Sequence, residues 1–418
     1  MSSIVIDGGR RLSGTVRISG AKNASLAILC AAILSSREIV LENVPDISDV
    51  RVMMEIINSL GVKAAWEGQD AVRVSVPPEV VCEAPHHLAK KLRASNLLLG
   101  PLLARFGRAQ VSLPGGCNIG VRPMDLHFKG LASLGAQVSI EKGFVVCRAK
   151  GRLKGTRVYL DFPSVGATEN IMMAACLAEG QTFIENVAKE PEIVDLANFL
   201  NSLGARIRGA GTDVIKVEGV EELAQGSRYT VIPDRIEAGT FMVACAATRG
   251  EVVLENVIPL HLEPLCAKLR EANVEVEEGE EILRVRAFKP LKPIDIKTMP
   301  YPGFPTDMQS QMMALLATVP GTSVIVENIF ENRFMVAKEL ARLGAVIKVE
   351  GRMAVIEGVP VLNGAQVKAT DLRAGAALII AGLAARGQTE IINAGFIDRG
   401  YHRLEEKLRG LGAAIWRK

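Results

Sequence analysis

Residues 113–125 read Leu-Pro-Gly-Gly-Cys-Asn-Ile-Gly-Val-Arg-Pro-Met-Asp, a glycine-rich loop carrying Cys117 five residues before Arg122. Nearby positive charge lowers a thiol pKa and raises its reactivity. A thiol so tuned can act as a general acid or a nucleophile. Gly115-Gly116 gives the loop freedom to swing as a lid does. Lys22, Arg93 and Arg373 stand at turns leading into small-residue apolar helices, and Arg333 and Arg399 stand in or near later turns, as do Glu331 and Asp398. Gathered in one cleft, these cations suit a substrate with several phosphates or carboxylates, helped by the N–H groups of helix N-termini. Asp307 is the isolated acid of this set. Among cations it stays ionised. It either takes a hydroxyl proton or holds a sugar hydroxyl, or it caps the helix that follows.

The elements that must position these residues repeat. A helix ending in Leu-Gly followed by a strand recurs, with Gly61, Gly135, Gly204, Asn273, Gly344 and Gly412 at the cap. The spacing is roughly 70 residues, and Gly or Asn past a helix end is the expected left-handed cap. Each repeat reads βαβαββ: an opening strand, a helix of small apolar residues, a strand ending in Glu-Asn-Val or a variant, an amphipathic helix and a hairpin. In the second repeat the Glu-Asn-Val place is taken by Pro-Gly-Gly-Cys. The sixth repeat is short by one hairpin strand, and the N-terminal Ser-Ile-Val-Ile-Asp is the spare strand that completes it. Three repeats per domain put one domain at 12–225 and the other at 226–418 plus 1–11. Segments near 11 and 225 then cross between the domains and form a hinge. Helices apolar all round are core helices, which predicts helices inside and sheets outside.

The chain has 418 residues, of which 49% are apolar and only 4% aromatic, so the core is aliphatic. A net charge of +3 argues against a nucleic-acid protein with a broad basic face. No apolar run is long enough to span a bilayer, and Met-Ser-Ser-Ile-Val is not a secretory signal. Seven cysteines, with no Cys-x-x-Cys pair and no Cys–His spacing for zinc, read as reduced cytoplasmic thiols. Six of them, Cys117 apart, are expected in apolar helices or strands.

The motifs ISGAKNA (18–24), RASNLLLGPLLAR (93–105), PGGCNIGVRPMDLH (114–127), DFPSVGATEN (161–170), YPGFPTDMQ (301–309), ENRF (331–334), DLRAG (371–375) and DRGY (398–401) together resemble the UDP-N-acetylglucosamine enolpyruvyl transferases (1-carboxyvinyltransferases) of bacterial peptidoglycan synthesis. The resemblance runs from end to end. It implies an α/β fold, the inside-out α/β barrel of EPSP synthase-like proteins, with two domains of three βαβαββ units and the active site in the interdomain cleft. It implies transfer of the enolpyruvyl group of phosphoenolpyruvate to the sugar 3-hydroxyl with release of phosphate, through a tetrahedral intermediate, with no cofactor and no metal.

Carried over by motif, Lys22, Asn23, Arg122, Arg373 and Arg399 bind phosphoenolpyruvate. Cys117 is the lid acid at the methylene carbon, the residue that fosfomycin alkylates, and Asp307 is the base at the hydroxyl. Asn23, Arg93, Arg122, Pro123, Met124, Asp125, Leu126, Phe162, Pro163, Ser164, Val165, Asp307 and Ile329 match the nucleotide-sugar contacts. Arg333 completes the cationic cleft. At 162 the family pattern has a basic residue where this chain has Phe162, whose ring either stacks on uracil or packs. Neither nucleic acid nor membrane is an expected partner; a regulatory protein partner stays open. The sister enzyme 5-enolpyruvylshikimate-3-phosphate synthase lacks the PGGC lid, which sets it second. A silent regulatory paralogue would have lost Cys117, Asp307 or Arg399, and all three are present.

Overall fold

A computed structural model describes residues 2–113, 119–120 and 123–418. Two compact units divide them. One holds 2–19, 119–120 and 233–418; the other holds 20–113 and 123–232.

Three sheets wall each unit. In the unit of 20–113 and 123–232, Arg228–Thr230, Ile39–Glu42, Val72–Ser75 and Lys63–Trp66 lie side by side in that order. Arg206–Arg208, Val214–Glu218, Gln181–Glu185 and Arg157–Tyr159 make a second four-stranded sheet. The third has three strands, Arg108–Ser112, Phe144–Arg148 and Gln137–Glu141. Its opening strand survives only as a bridge from Glu83 to Gln110. In the other unit all three sheets have four strands. In each four-stranded sheet one outer strand pairs in parallel and the remaining pairs are antiparallel, as a βαβ step followed by a hairpin requires.

The short sixth repeat is completed as expected. Ser3–Asp7 pairs antiparallel with both Gln388–Ile392 and Ala414–Arg417. The other opening strand departs from a simple count of three repeats per unit. Ser13–Arg17 pairs in parallel with Glu251–Glu255 of the fourth repeat, and Arg228–Thr230 pairs in parallel with Ile39–Glu42 of the first. The first and fourth repeats have exchanged opening strands. The division therefore falls at 19/20 and 232/233 rather than at 11/12 and 225/226. Asp195 pins the exchanged strand Arg228–Thr230 to its unit: it accepts from the Tyr229 hydroxyl at 2.6 Å and from the Ile232 N–H at 3.3 Å.

Helices fill the space the sheets enclose. Arg235–Ala247, Gln309–Leu316 and Leu372–Ala384 pack on one another. Residues Leu372 through Leu383 are all buried. Strands such as Ile282–Arg286 alternate exposed and buried residues, so one face meets the helices and the other meets water. Burying a Leu or Ile side chain fully is worth about 1.5–3 kcal/mol, and this aliphatic set carries the fold. Leu378 lies fully buried at the centre of its helix. Leu378→Ala is expected to lower unfolding stability by about 2–5 kcal/mol, read as a lower midpoint in urea.

Candidate active site

In the unit of 20–113 and 123–232, the predicted residues gather at helix starts. Lys22 opens the helix Lys22–Ala31, and its ammonium is 2.7 Å from a carboxylate oxygen of Asp49. Asp49 lies in the first turn of Ser48–Ser59 with a nearly buried side chain, so it fixes where the Lys22 charge is held. Asn23 beside it is exposed. Arg93 heads the short helix Arg93–Leu98. Pro123 and Asp125 are exposed, Met124 is buried and Leu126 is half-buried at the start of Asp125–Ser133. Phe162 is 49% exposed, so its ring is no core residue. Its carbonyl accepts from the Ser164 N–H at 2.7 Å. Ser164 caps Val165–Ala175, its hydroxyl accepting from the Ala167 N–H at 3.4 Å. Pro163 and Val165 flank it, half-buried.

Three of these segments are tied together by Asn170, the buried last residue of the 161–170 motif, which carried no expected role. The Asn170 side-chain amide donates to the Asn96 carbonyl at 3.0 Å and lies 2.9 Å from His127 Nδ1. Its oxygen accepts from the Gly100 N–H at 2.8 Å. That fixes the amide nitrogen as donor, so His127 Nδ1 accepts and the ring is neutral. A Cβ at Gly100 would stand 2.4 Å from the Asn170 carbonyl oxygen, so this close approach needs glycine. The helices carrying Arg93, Asp125 and Val165 thus share one junction.

Burial, and then the Arg93 charge, push the His127 pKa down to about 4. The unfolded chain takes up this proton near pH 6.5. The neutral ring therefore contributes fully above pH 6.5, and its contribution is lost as the pH falls through 4. The loss is on the order of 3 kcal/mol. His127→Asn, which keeps an acceptor at that place, is expected to lose less stability than the natural protein between pH 7 and 4 in matched urea titrations. Equal losses in both proteins would contradict the assignment.

The unit of 2–19 and 233–418 holds the acid. Asp307 lies in the short helical turn Thr306–Met308. Its Oδ1 accepts from Arg333 at 2.8 Å, and its Oδ2 accepts from Arg373 Nη2 at 2.8 Å and Nε at 3.1 Å. The capping reading falls away: the helix Gln309–Leu316 has no side-chain cap, and the carboxylate faces two guanidinium groups instead. Both arginines are almost wholly buried, whereas the Asp307 side chain keeps 28% exposure. The acid is the part of the cluster that solvent or a ligand can reach. Burial opposes the Arg373 charge, but Asp307, Tyr401 and Asp234 outweigh it and raise the guanidinium pKa.

Arg373 stands in the first turn of Leu372–Ala384, where Asp371 accepts from its backbone N–H at 2.9 Å and caps the helix. Arg373 Nη1 donates to the Tyr401 hydroxyl at 3.3 Å; that hydroxyl lies 2.9 Å from the Thr240 hydroxyl, with Gln311 Nε2 at 3.4 Å. Tyr401, Thr240 and Gln311 thus hold the clamp from behind. Tyr401 stood in the DRGY motif, but nothing local in sequence pairs it with Arg373. Arg399 is half-buried at the end of Ala394–Arg399, and Ile329 is half-buried just past Gly321–Val326. Two other charges belong to the surface. Asp398 takes a two-pronged contact from Arg417 at 2.6 and 2.8 Å, and Glu331 accepts from Arg352 at 3.3 Å.

Cys117 and Arg122 lie outside the described residues. The six described cysteines are free thiols. Cys30, Cys147, Cys176, Cys245 and Cys266 are buried, and burial pushes the last four up to about 12. Cys82 departs from expectation: it is half-buried and lies outside any helix or strand. Among the described residues no group of His, Cys, Asp or Glu could hold a metal ion, and no helix is long and apolar enough to cross a membrane.

The family profile described as EPSP synthase (3-phosphoshikimate 1-carboxyvinyltransferase) matches residues 6–408. UDP-N-acetylglucosamine 1-carboxyvinyltransferase 2 of Carboxydothermus hydrogenoformans is 61% identical over 419 residues, covering 100% of this chain and 99% of the relative. This chain belongs to the UDP-N-acetylglucosamine 1-carboxyvinyltransferase family. A second family member, enzyme 1 of Caldanaerobacter subterraneus subsp. tengcongensis, is 57% identical with both chains covered fully. The fold also matches solved structures over its full length. The enolpyruvyl transferase NikO from Streptomyces tendae superposes with a TM-score of 0.90 at 29% identity, covering 100% of this chain and 99% of the other. EPSP synthase from Acinetobacter baumannii superposes with a TM-score of 0.80 at 20% identity with full coverage of both, which speaks for the fold alone. The two-unit arrangement of helices inside sheets is the EPSP synthase-like fold.

Proposed function

We propose that this protein transfers the enolpyruvyl group of phosphoenolpyruvate to the 3-hydroxyl of UDP-N-acetylglucosamine and releases phosphate. The observation that carries the reading is full-length identity of 61% to a relative named for that transfer. The buried two-arginine clamp on a reachable carboxylate at Asp307 supports it.

The chemistry needs an acid and a base. The sugar oxygen bonds to C2 of phosphoenolpyruvate as its proton leaves, and a proton is added at C3. Loss of a C3 proton then expels phosphate and restores the double bond. Asp307 accepts the hydroxyl proton, in one fixed orientation set by Arg333 and Arg373. Cys117 delivers the proton at C3. Lys22, Arg122, Arg373 and Arg399 offset the charge of phosphoenolpyruvate, and the neutral Asn23 amide contacts the substrates beside them. The segments tied by His127 and Asn170, with Arg93, Pro123, Met124, Asp125, Leu126, Phe162, Pro163, Ser164 and Val165, take up the nucleotide sugar together with Ile329. The exposed Phe162 ring stacks on uracil, a role its half-exposure favours over packing. Such an enzyme works in the cytoplasm at the start of peptidoglycan synthesis and is a target of fosfomycin.

The test is phosphate release from phosphoenolpyruvate with UDP-N-acetylglucosamine, run beside shikimate 3-phosphate. Turnover is expected with the nucleotide sugar only, and it is expected to vanish on fosfomycin treatment and in Cys117→Ala. Turnover with shikimate 3-phosphate would move the protein to the sister activity, whose profile the chain also matches. A lysine cannot reproduce the fork of Arg373. Arg373→Lys is therefore expected to lower kcat/KM by about 100-fold in the same assay, with most of the loss in kcat.

A further inference from the structure

We propose that Glu327 is a positioning residue for Asp307 and Ile329, made by turning one Glu-Asn corner of the repeat inward. The inference rests on the function proposed above for these two residues.

The same dipeptide closes a strand in four repeats, as Glu42-Asn43, Glu185-Asn186, Glu255-Asn256 and Glu327-Asn328. The asparagine does one job in all four. Its side-chain amide donates to a backbone carbonyl at or just past the parallel opening strand: Val231 at 2.8 Å, Leu160 at 2.7 Å, Ile18 at 2.7 Å and Thr298 at 3.0 Å. The glutamate does not. Glu42 takes Arg228 and Thr230 at the surface, Glu185 takes Arg157 at 3.0 Å, and Glu255 is exposed. Glu327 is fully buried. The backbone turns differently as well. Asn43, Asn186 and Asn256 are left-handed, with φ of 56°, 55° and 57°, and Asn328 is not.

The buried carboxylate is bonded on both sides of the Asp307 clamp. Its Oε1 accepts from the N–H groups of Ile329 at 2.8 Å and Phe330 at 3.1 Å. Its Oε2 accepts from the Thr306 hydroxyl at 2.9 Å. Thr306 is the residue before Asp307. The ring of Phe330 lies under the Arg333 guanidinium, 5.5 Å from its carbon, and Arg333 donates to Asp307. One carboxylate therefore couples the turn that carries the acid to the loop that carries Ile329 and supports Arg333. Without it two backbone N–H groups lose their acceptor inside the protein.

Three variants separate positioning from packing. Thr306→Val keeps the shape and removes only the link to the acid's turn. Glu327→Gln keeps an acceptor for both N–H groups and a donor for Thr306. Glu327→Ala removes all contacts. Each is assayed for kcat, for KM of UDP-N-acetylglucosamine, for thermal unfolding and for amide exchange at Ile329 and Phe330. Misplacing a reacting group by about 1 Å costs on the order of 100-fold in rate. We expect a fall in kcat of about 100-fold in Glu327→Ala, about tenfold in Thr306→Val, and recovery to near the natural value in Glu327→Gln. Exchange at Ile329 and Phe330 should quicken in Glu327→Ala only. Natural kcat and KM in a folded Thr306→Val would overturn the inference, as would losses in Glu327→Ala that track the unfolded fraction alone. Inactivity of the natural protein toward both acceptors would instead sink the function proposed above, and the exchange data would still report whether Glu327 anchors the loop.

Discussion

A helix apolar on every side must be enclosed, and that constraint governs this molecule. Leu372–Ala384, with buried residues from Leu372 to Leu383, has no face to offer water. Three helices so fully buried and packed together, this one with Arg235–Ala247 and Gln309–Leu316, need sheets around them, and each unit supplies three. The amphipathic demand falls on the strands, whose outer faces carry the charged residues. The starts of the buried helices are then the places where the core meets polar side chains. Lys22 and Arg373 stand there, in the first turns of Lys22–Ala31 and Leu372–Ala384.

A charge at such a place is costly unless it is paired. Arg373 is nearly buried and is held by Asp307 and the Tyr401 hydroxyl. Lys22 is held by Asp49. The pairings fix the charges in space, and preorganised charge is what the transfer proposed above draws upon. Asp307 keeps partial exposure while its two arginine partners have almost none. The same burial that stabilises the fold thus leaves one oriented carboxylate reachable.

Much of the fold was legible because the repeat marks its own boundaries. The Leu-Gly caps gave the period, and the shortened last repeat announced that Ser3–Asp7 would complete its sheet. The exchange of Ser13–Arg17 with Arg228–Thr230 was not legible. Both are opening strands of the same pattern, and which one a sheet takes depends on the path of some 200 residues between them. At the site, residue types at turns pointed to Asp307, Arg333 and Arg373, and these three do meet. The same reading raised Asp398 and Glu331, which pair at the surface, because position in a repeat does not tell inward from outward. Glu327 and Glu42 share a local sequence and differ in burial for that reason. Tyr401, Thr240 and His127 needed distances, since each acts through a partner remote in sequence.

The central claim is addition followed by elimination at the double bond of phosphoenolpyruvate. The direct measurement is to run the reaction with UDP-N-acetylglucosamine in deuterated water and examine the product by proton NMR and mass spectrometry. The account predicts an enolpyruvyl ether of the sugar with deuterium in its methylene group, because a solvent-derived proton enters at C3 before phosphate leaves. A product whose methylene stays free of deuterium at every stage of turnover would contradict it.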